Sequence, residues 1–461
     1  MSESTLQRSF KNLLIAVLAI VAVVAGVLLL SWLLPPSKAQ QRALAALQPS
    51  AQDYPGRNAY TALMTLDLDG LSPAQRQARI DAFIPRLVQW QEHYLALAAG
   101  DDKGATISSD VPTLATAEDR PLGFDRRLCS FGEAATCLDK LRRQPQAAAG
   151  ALAAQQDLLA RIGELSGYGH YRMPSAIAPG IGAVLSTTSL LATPLAAHAQ
   201  TYLQGDANAA MAGLCRDAGS ARMLMAHSDS LLLTMAGGKM LAANAQLLAS
   251  LLAELPAETP LPADCSTALS ALSGKETGTC VAMRGEFALS TAMSRNSKRA
   301  FRKARSHLMF SEAKTNARMA EAMAGPCLPE NLQQIGADRA LPPPAPPSPW
   351  RLECAANAIG CVLSSIAAPA YHGFVARQQD SGAQLRLLQT ILWLREHAGD
   401  MAGQPLGKRL QALPPALRQG SRSLRASADG SALELPAYSP QAEGKPLSMP
   451  IPKALLAQHT P

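Results

Sequence analysis

The sequence predicts a mostly helical protein that is held in a membrane by one N-terminal helix and ends in a small β-hairpin or coil. Three observations predict this fold class. An uncharged apolar stretch near the N-terminus is long enough to cross a bilayer, helical apolar spacing recurs through the middle, and prolines become frequent near the C-terminus. The 48% hydrophobic content excludes a disordered chain, and 461 residues suffice for two or three domains.

Residues 12–34 are predicted to form the transmembrane helix. Leu13 to Leu34 contain no charge, and fifteen of these 22 residues are Leu, Ile or Val. At about 1.5 Å per residue this helix is roughly 33 Å long, and the hydrocarbon core of a bilayer is about 30 Å thick. Trp32 lies where an indole favours the interface, and Pro35 stops the helix. The lipid bilayer is therefore the first expected partner, through Leu13 to Leu34.

A cleaved signal peptide is the alternative for this segment. Ser37-Lys38-Ala39 loosely satisfies the small-x-small rule of a cleavage site. However, the apolar core of a signal peptide usually has about 7–15 residues, and this stretch is far longer. Its length favours an anchor that stays uncleaved.

The orientation of the anchor is predicted from the cysteines, because the basic residues on its two sides are nearly balanced. All eight cysteines follow the anchor, and none has CxxC or Cys/His zinc spacing. An even set of this kind is typical of an oxidising compartment; eight buried thiols in a cytosolic domain are the alternative. We expect a bacterial inner-membrane protein with residues 1–11 in the cytoplasm and everything after about residue 35 in the periplasm, and with no metal or other cofactor.

Two short loops indicate cysteines that could pair. Cys129 and Cys137 bracket seven residues that can fold back, and Cys265 and Cys280 bracket a polar stretch with two glycines. A disulfide that closes a loop of the second size stabilises a protein by roughly 3 kcal/mol. Both pairs are candidate disulfides, although eight cysteines allow 105 connectivities.

Cys354 and Cys361 form a third candidate pair with a geometric difficulty. On a straight helix they would lie about 10.5 Å apart along the axis. A disulfide needs Cα atoms within roughly 7 Å. Either Gly360 breaks the helix, or each thiol has another partner.

Composition and spacing divide the body into segments. The first helix after the anchor is predicted to begin at Ser72, an N-cap, with Pro73 in its first turn and Gln75 completing a capping box. The predicted segments, in chain order, are a juxtamembrane segment 35–70, a helical periplasmic domain 71–330, a proline-rich linker 331–350, a helical pair 351–400 and a proline-rich tail 401–461.

The most helical region spans residues 184–255. Ala196 to Leu203, a turn at Gly205-Asp206, and Ala207 to Met225 predict an antiparallel pair, and Ser228 is a candidate cap for a third helix. This pattern resembles tetratricopeptide-type hairpins in length and alanine placement over some 60 residues. No clean 34-residue period follows, so a regular solenoid is not predicted.

Two elements are predicted near the C-terminus. Gly382 to Ala398 carries leucines near one face and is the better helix of the predicted pair. Asp429-Gly430 stands between Leu424–Ala426 and Ala432–Leu435, which predicts a hairpin on a two-residue turn.

The sequence gives only weak support for any catalytic residue. Ser311 and Lys314 match S-x-x-K, but without companion motifs we expect Ser311 to be an N-cap and Lys314 to be solvated. His170 and His372 lie beside tyrosines and are expected to be structural histidines. At helical spacing the methionines are expected to fill the core rather than bind copper: Met211, Met223, Met225, Met235 and Met240. The sequence therefore assigns no catalytic or metal-binding residue.

A basic helix is the sharpest surface feature. It has six cations in eleven residues without an acid, which suits anionic headgroups or an acidic partner, although such a run is usually a solvated face. Aromatic stacking residues are missing there, and the formal charge of +7 is mild, so no nucleic acid is expected. The cations are Arg295, Lys298, Arg299, Arg302, Lys303 and Arg305.

These observations favour a non-enzymatic function. We expect a membrane-anchored scaffold, adaptor or immunity-type binding protein of the cell envelope, with another envelope protein as a partner. The alternative is an envelope hydrolase that acts on peptidoglycan or lipid, with the regions around His170 and Ser311 as its candidate sites.

Overall fold

The protein is mostly helical, as the sequence predicts, and its few strands lie near the C-terminus. The computed structural model describes residues 3–98, 111–174, 188–303, 306–342, 348, 350–418, 420–442 and 444–456. The first helices are α1 (Glu3–Leu33), α2 (Lys38–Ala46), α3 (Tyr60–Met64), α4 (Pro73–Ala98), α5 (Cys137–Arg143), α6 (Pro145–Ala153) and α7 (Gln156–Gly163).

The rest of the described body has twelve further helical segments and three strands. The helices of the middle region are α8 (Thr193–Leu203), α9 (Ala207–Ala226), α10 (Leu231–Glu254), α11 (Cys265–Ala268), α12 (Gly274–Thr277), α13 (Cys280–Lys303), α14 (Glu312–Met323) and α15 (Pro329–Gly336). They are followed by α16 (Ala358–Glu396), α17 (Leu406–Gln411), α18 (Pro415–Arg418), β1 (Arg425–Ala426), β2 (Ala432–Leu435), β3 (Leu447–Pro450) and α19 (Lys453–Leu456).

Helix α1 is long and apolar enough to span a membrane, and its apolar window is not covered by the body. Helix α16 passes the same test of length and composition, but a third of its apolar window is buried in the protein. A signal sequence near the N-terminus would pass the same test of length and composition.

The segment after the anchor belongs to the core of the body. Four residues separate α1 from α2, and Ser37 caps α2 in a capping box with Gln40. Ala43 and Leu47 are buried in one apolar cluster with Met319 of α14. The predicted juxtamembrane segment is therefore packed structure, and α3 also lies in it.

Helix α10 is the central element of the largest apolar cluster. It packs between α9 and α16, and Leu248 and Leu388 are fully buried there. Leu433 of β2 and Met449 of β3 belong to the same cluster. Three of the predicted segments, the helical domain, the helical pair and the tail, thus contribute to one core.

Two predicted helix starts need correction. The predicted helical pair is one continuous helix, α16, in which Gly382 is an interior contact residue: a Cβ there would lie 3.3 Å from Leu272 and Thr277. The third helix of the middle region, α10, is capped by Ser230, whose hydroxyl accepts from the Leu233 N–H, and not by Ser228. In sequence, a glycine that makes an interior contact looks the same as one that breaks a helix. Likewise, a serine that caps a helix looks the same as a nearby serine that does not.

The predicted hairpin is present but belongs to a three-stranded antiparallel sheet in the order β1–β2–β3. Its first turn is longer than two residues, because the Ser427 N–H donates to the Ala432 carbonyl at 2.8 Å and Gly430 adopts a φ of +71°. The third strand pairs Leu433 with Met449. Of the predicted linker 331–350, residues 331–336 lie in α15, whereas residues 343–347 and 349 of its proline-rich part lie outside the described residues.

The described cysteines form four pairs at disulfide distance: Cys129–Cys137, Cys215–Cys265, Cys280–Cys327 and Cys354–Cys361. The expected pairing of Cys265 with Cys280 is wrong, because α9 carries Cys215 against the start of α11 and Cys327 lies against the start of α13. Cys354 reaches Cys361, with Cα atoms 5.8 Å apart, because α16 begins only at Ala358. Gly360 stays helical, and Cys354 and Cys361 pair with each other rather than with other cysteines, so neither expected alternative occurs.

Candidate functional site

The best-defined polar site of the described chain is the junction where α1 meets the body. The Ala356 N–H donates to the Ser31 hydroxyl at 2.9 Å, and Ser31 is fully buried. The Lys314 ammonium donates to the Leu34 carbonyl at 2.7 Å, which satisfies an orphan carbonyl at the end of the helix. Two hydrogen bonds therefore tie the last turn of the anchor to the body.

Two local structures position these donors. Ser311 caps α14 by accepting from the Lys314 N–H, which places Lys314 in the first turn. The amide oxygen of Asn357 accepts from the Ser311 N–H at 2.7 Å. Ala356 and Asn357 both lie inside the eight-residue loop that the Cys354–Cys361 pair closes.

The junction corrects one expectation about the S-x-x-K pattern. Ser311 is an N-cap as predicted, but Lys314 is half-buried and donates to a backbone carbonyl instead of being free in solvent. Burial lowers the pKa of Lys314, and its ammonium points to Leu34 rather than to the Ser311 hydroxyl. This geometry gives Ser311 no lysine base, so it does not support an acylation nucleophile there.

A charged network lies beside the junction. The Gln40 amide of α2 donates to Glu321 at 3.3 Å and to Glu353 at 3.2 Å. Glu353 also pairs with the buried Arg318 at 3.3 Å, and Arg351 pairs with Glu321 at 2.7 Å. Because α2, α14 and the segment before α16 meet in this network, the chain next to the anchor is held from three sides.

The structure describes part of the basic helix. Arg295 and Lys298 are exposed, and Glu312 of α14 lies 3.7 and 3.5 Å from them. The run without an acid in sequence therefore has one acidic neighbour in space, in exposed ion pairs that contribute little stability. The side chains of Arg299, Arg302, Lys303 and Arg305 lie outside the described residues.

Of the two candidate histidines, His170 has structural contacts. The His170 ring lies 2.8 Å from the Pro55 carbonyl through Nδ1, and its backbone bridges to Asn58. The side chain of His372 lies outside the described residues.

A buried pair that the sequence reasoning missed joins α8 to α9. The His198 ring bonds Asp217 at 2.8 Å, and a Cβ at Gly213 would lie 2.3 Å from the ring. The imidazole is thus enclosed by the backbone of α9. This favours a structural hydrogen bond between the two helices over a catalytic base, which would have to reach a substrate. Nothing in sequence signals this pair, because its members lie 19 residues apart on different helices.

Asp229 is a second buried group that the sequence reasoning did not identify. Burial raises its pKa to about 7, against the opposing effect of the Met173 N–H, which donates to the carboxylate at 3.0 Å. Burial also raises the pKa of Glu286, whose carboxylate lies 3.4 Å from the Leu231 N–H. Asp229 can therefore hold a proton near neutral pH, and burial shifts the pKa of Glu286 in the same direction.

We predict that Asp229→Asn removes a pH-dependent loss of stability. The native carboxyl keeps its proton up to about pH 7. The unfolded chain releases that proton near pH 4, so this group stabilises the fold fully below that pH and loses up to about 4 kcal/mol as pH rises through 7. Urea unfolding at pH 5 and pH 8 should show a smaller drop in the variant. Glu258→Gln, at an exposed position, should keep the drop, and an equal drop in Asp229→Asn would contradict the prediction.

Metal ligation has no support among the residues described. Within them, no group of three His, Cys, Asp or Glu side chains could hold a metal ion. Three of the methionines are fully buried in the apolar core, namely Met211, Met225 and Met240.

Comparison with protein-family models, curated proteins and solved structures finds no match to this chain. No residue role can therefore be carried over from another protein. The function has to be argued from the anchor, its junction and the packing of the body.

Proposed function

We propose that this chain is a non-enzymatic scaffold, adaptor or immunity-type binding protein of the bacterial cell envelope. Helix α1 anchors it in the inner membrane, with residues 1–11 in the cytoplasm and the body in the periplasm. The observation that carries the proposal is the junction, where Ser31 and Leu34 of the anchor accept hydrogen bonds from Ala356 and Lys314 of the body. A leader that is destined for removal has no need of such bonds.

The conformation of the potential cleavage site also supports a retained anchor. Lys38 and Ala39 open α2, and Ser37 caps it. Gln40, the next residue, is buried in the charged network with Glu321 and Glu353. The site is thus part of a capped helix in the folded protein.

The cysteine pairs support the periplasmic side. Four pairs at disulfide distance use all eight cysteines of the sequence. Disulfides persist in oxidising compartments and are rare in the reducing cytosol. We therefore place the body outside the cytoplasm.

The proposed contact surface is the tetratricopeptide-like hairpin of α8 and α9. Its inner face is buried, with Ala199 and Ala210 in the main core. Its tip is exposed at Leu203, Gln204 and Asn208. A packed hairpin with an exposed tip suits a binding protein, because little conformational entropy is lost when the partner binds.

The test is photo-crosslinking of the full chain in cells of a Gram-negative host. A photoreactive residue at Gln204 should yield a discrete adduct with an envelope protein in carbonate-washed membranes. The matched control is Gln404, an exposed residue in the turn before α17, which should yield none. Equal adducts at both positions, or none at either, would contradict a binding surface on the hairpin.

The same preparation tests the anchor and its orientation. Ala39→Leu abolishes the small residue that cleavage requires, and the exposed site in α2 accepts leucine. We expect the wild-type and variant chains to have one size, to resist carbonate extraction, and to be digested when protease is added to spheroplasts. A wild-type chain shorter than Ala39→Leu, or a body protected from protease, would overturn the proposal.

A further inference from the structure

We propose that the body also rests on the membrane, through an apolar foot that inserts into the periplasmic leaflet beside the anchor. This inference rests on the proposed anchoring by α1. The foot consists of five large apolar side chains that the described structure leaves exposed: Trp350, Leu352, Val362, Leu363 and Ile366.

The exposure of the foot is unusual for a folded body. Trp350 is 92% exposed, Ile366 72% and Val362 58%. Val362 and Ile366 are four residues apart on the first turns of α16, so they share one helix face. Exposed apolar patches of this kind mark sites that another apolar surface covers.

The opposite face of the same turns is buried and carries small side chains, namely Cys361, Ser364 and Ala368. Ser364 is 1% exposed and donates to the Gly360 carbonyl. Asn357, which precedes the helix, is fully buried beside Ser311 and Thr315. The start of α16 therefore turns its large aliphatic side chains outward and small residues inward, as expected where the outside is lipid rather than water.

The junction sets the depth of the foot. Ser31, which accepts from the Ala356 N–H, lies three residues before Leu34, the end of the apolar stretch. This is about 4.5 Å along the helix axis. Ala356 therefore lies at the level of the last turn of the anchor, where the hydrocarbon core gives way to headgroups. Leu352 and Val362 lie within six residues of Ala356 in sequence, so the foot lies close to that boundary.

Neighbouring residues fit the same surface. The 3₁₀ turn Ser306–Met309 packs against both α13 and α16, and Leu308 and Met309 are exposed on it. Helix α13 carries the exposed cations Arg295 and Lys298, which anionic headgroups attract. Apolar side chains with cations next to them are the composition of an interfacial membrane contact.

Continuity with the anchor decides for lipid over a protein partner. The foot flanks the segment that touches Ser31, inside the apolar stretch of α1. A protein that covered the foot would have to enter the same leaflet. With α1 in the membrane, the bilayer already lies beside the foot, and lipid chains cover apolar side chains without specific recognition.

The test uses the full chain in nanodiscs whose lipids carry bromine near the glycerol end of the acyl chains, which quenches nearby tryptophans. The Trp32→Phe chain lacks the indole of the anchor. A second chain carries Trp350→Phe as well. Trp90 and Trp393 are present in both chains, so the difference between their fluorescence signals belongs to Trp350. We expect bromolipids to quench Trp350 and aqueous acrylamide to leave it bright. Quenching by acrylamide alone would overturn the foot, and so would protection from both quenchers, because the latter indicates a protein cover.

Charged variants give the matched comparison. Val362→Glu with Ile366→Glu should abolish bromolipid quenching of Trp350 and leave the melting temperature in detergent unchanged, since both sites are exposed. Leu203→Glu, at an exposed leucine on α8, should leave the quenching intact. Flotation of every variant with vesicles separates the two proposals. A chain that does not float contradicts the anchor. A chain with native Trp350, Val362 and Ile366 that floats without quenching of Trp350 contradicts only the foot.

Discussion

Arg422→Ala is expected to destabilise the protein by about 3 kcal/mol, because it removes the counter-charge of the buried Asp380 and the half-buried Asp338. The Arg422 guanidinium is fully buried and lies 2.6 Å from Asp380 and 3.0 Å from Asp338. It also donates to the Pro436 carbonyl at 2.8 Å, which ties the C-terminal tail to α16. The cost is at the lower end of the usual range because Arg386 still pairs with Asp338.

The pH dependence of this loss has a definite sign. Burial raises the pKa of Asp338, although Arg422 and Arg386 oppose the shift. Without Arg422 that pKa rises further, and a protonated carboxyl needs no counter-charge. The loss of stability in Arg422→Ala should therefore shrink as the pH falls.

Arg425→Ala is the matched control, since Arg425 pairs with Glu434 in the same sheet but is largely exposed. An exposed pair contributes about 0–1 kcal/mol. Urea unfolding followed by circular dichroism in detergent should separate the two variants clearly at neutral pH. Equal unfolding midpoints would refute the structural role of Arg422.

Removal of the Cys215–Cys265 pair should have the second large effect. The paired residues are 50 apart in sequence, and Cys215 and Cys265 are both buried between α9 and α11. In the chain-entropy account, a closed loop of this length contributes about 4 kcal/mol, whereas one of eight or nine residues contributes about 2.5 kcal/mol. Cys215→Ala with Cys265→Ala should therefore cost more than loss of a short-loop pair.

Cys129→Ala with Cys137→Ala is the comparison, because that pair spans eight residues and is also fully buried. Equal burial makes the cost of the small cavities similar in both double variants. The measurement is the urea midpoint of each variant against the oxidised wild type. If both double variants unfold at the same midpoint, loop length does not set the difference.

Features that depend on neighbouring residues were predictable. The Ser72–Gln75 capping box is present, with the Ser72 N–H donating to the Gln75 amide oxygen at 2.9 Å, and α4 begins at Pro73 as expected. Cys129 and Cys137 pair across a short loop. In each case the partners are close in sequence, so local geometry restricts them to one arrangement.

The candidate site was only half predictable. Apolar length and the absence of charge identify α1 as a helix long and apolar enough to span a membrane, because both properties are read from composition. The partners of its last turn, Ala356 and Lys314, are about 300 residues away in the chain. Sequence reasoning placed Lys314 in solvent for that reason.

The amino-acid sequence by itself determined the apolar span, the helical character and the hairpin signal around Asp429-Gly430, because each follows from periodicity or composition within a short window. Only the tertiary structure decided that Cys265 pairs with Cys215, that Arg422 neutralises Asp338 and Asp380, and that α16 is one helix. The contacts of Cys265 and Arg422 join residues between 42 and 84 positions apart. They are selected by the burial of a shared core, which no local window of sequence contains.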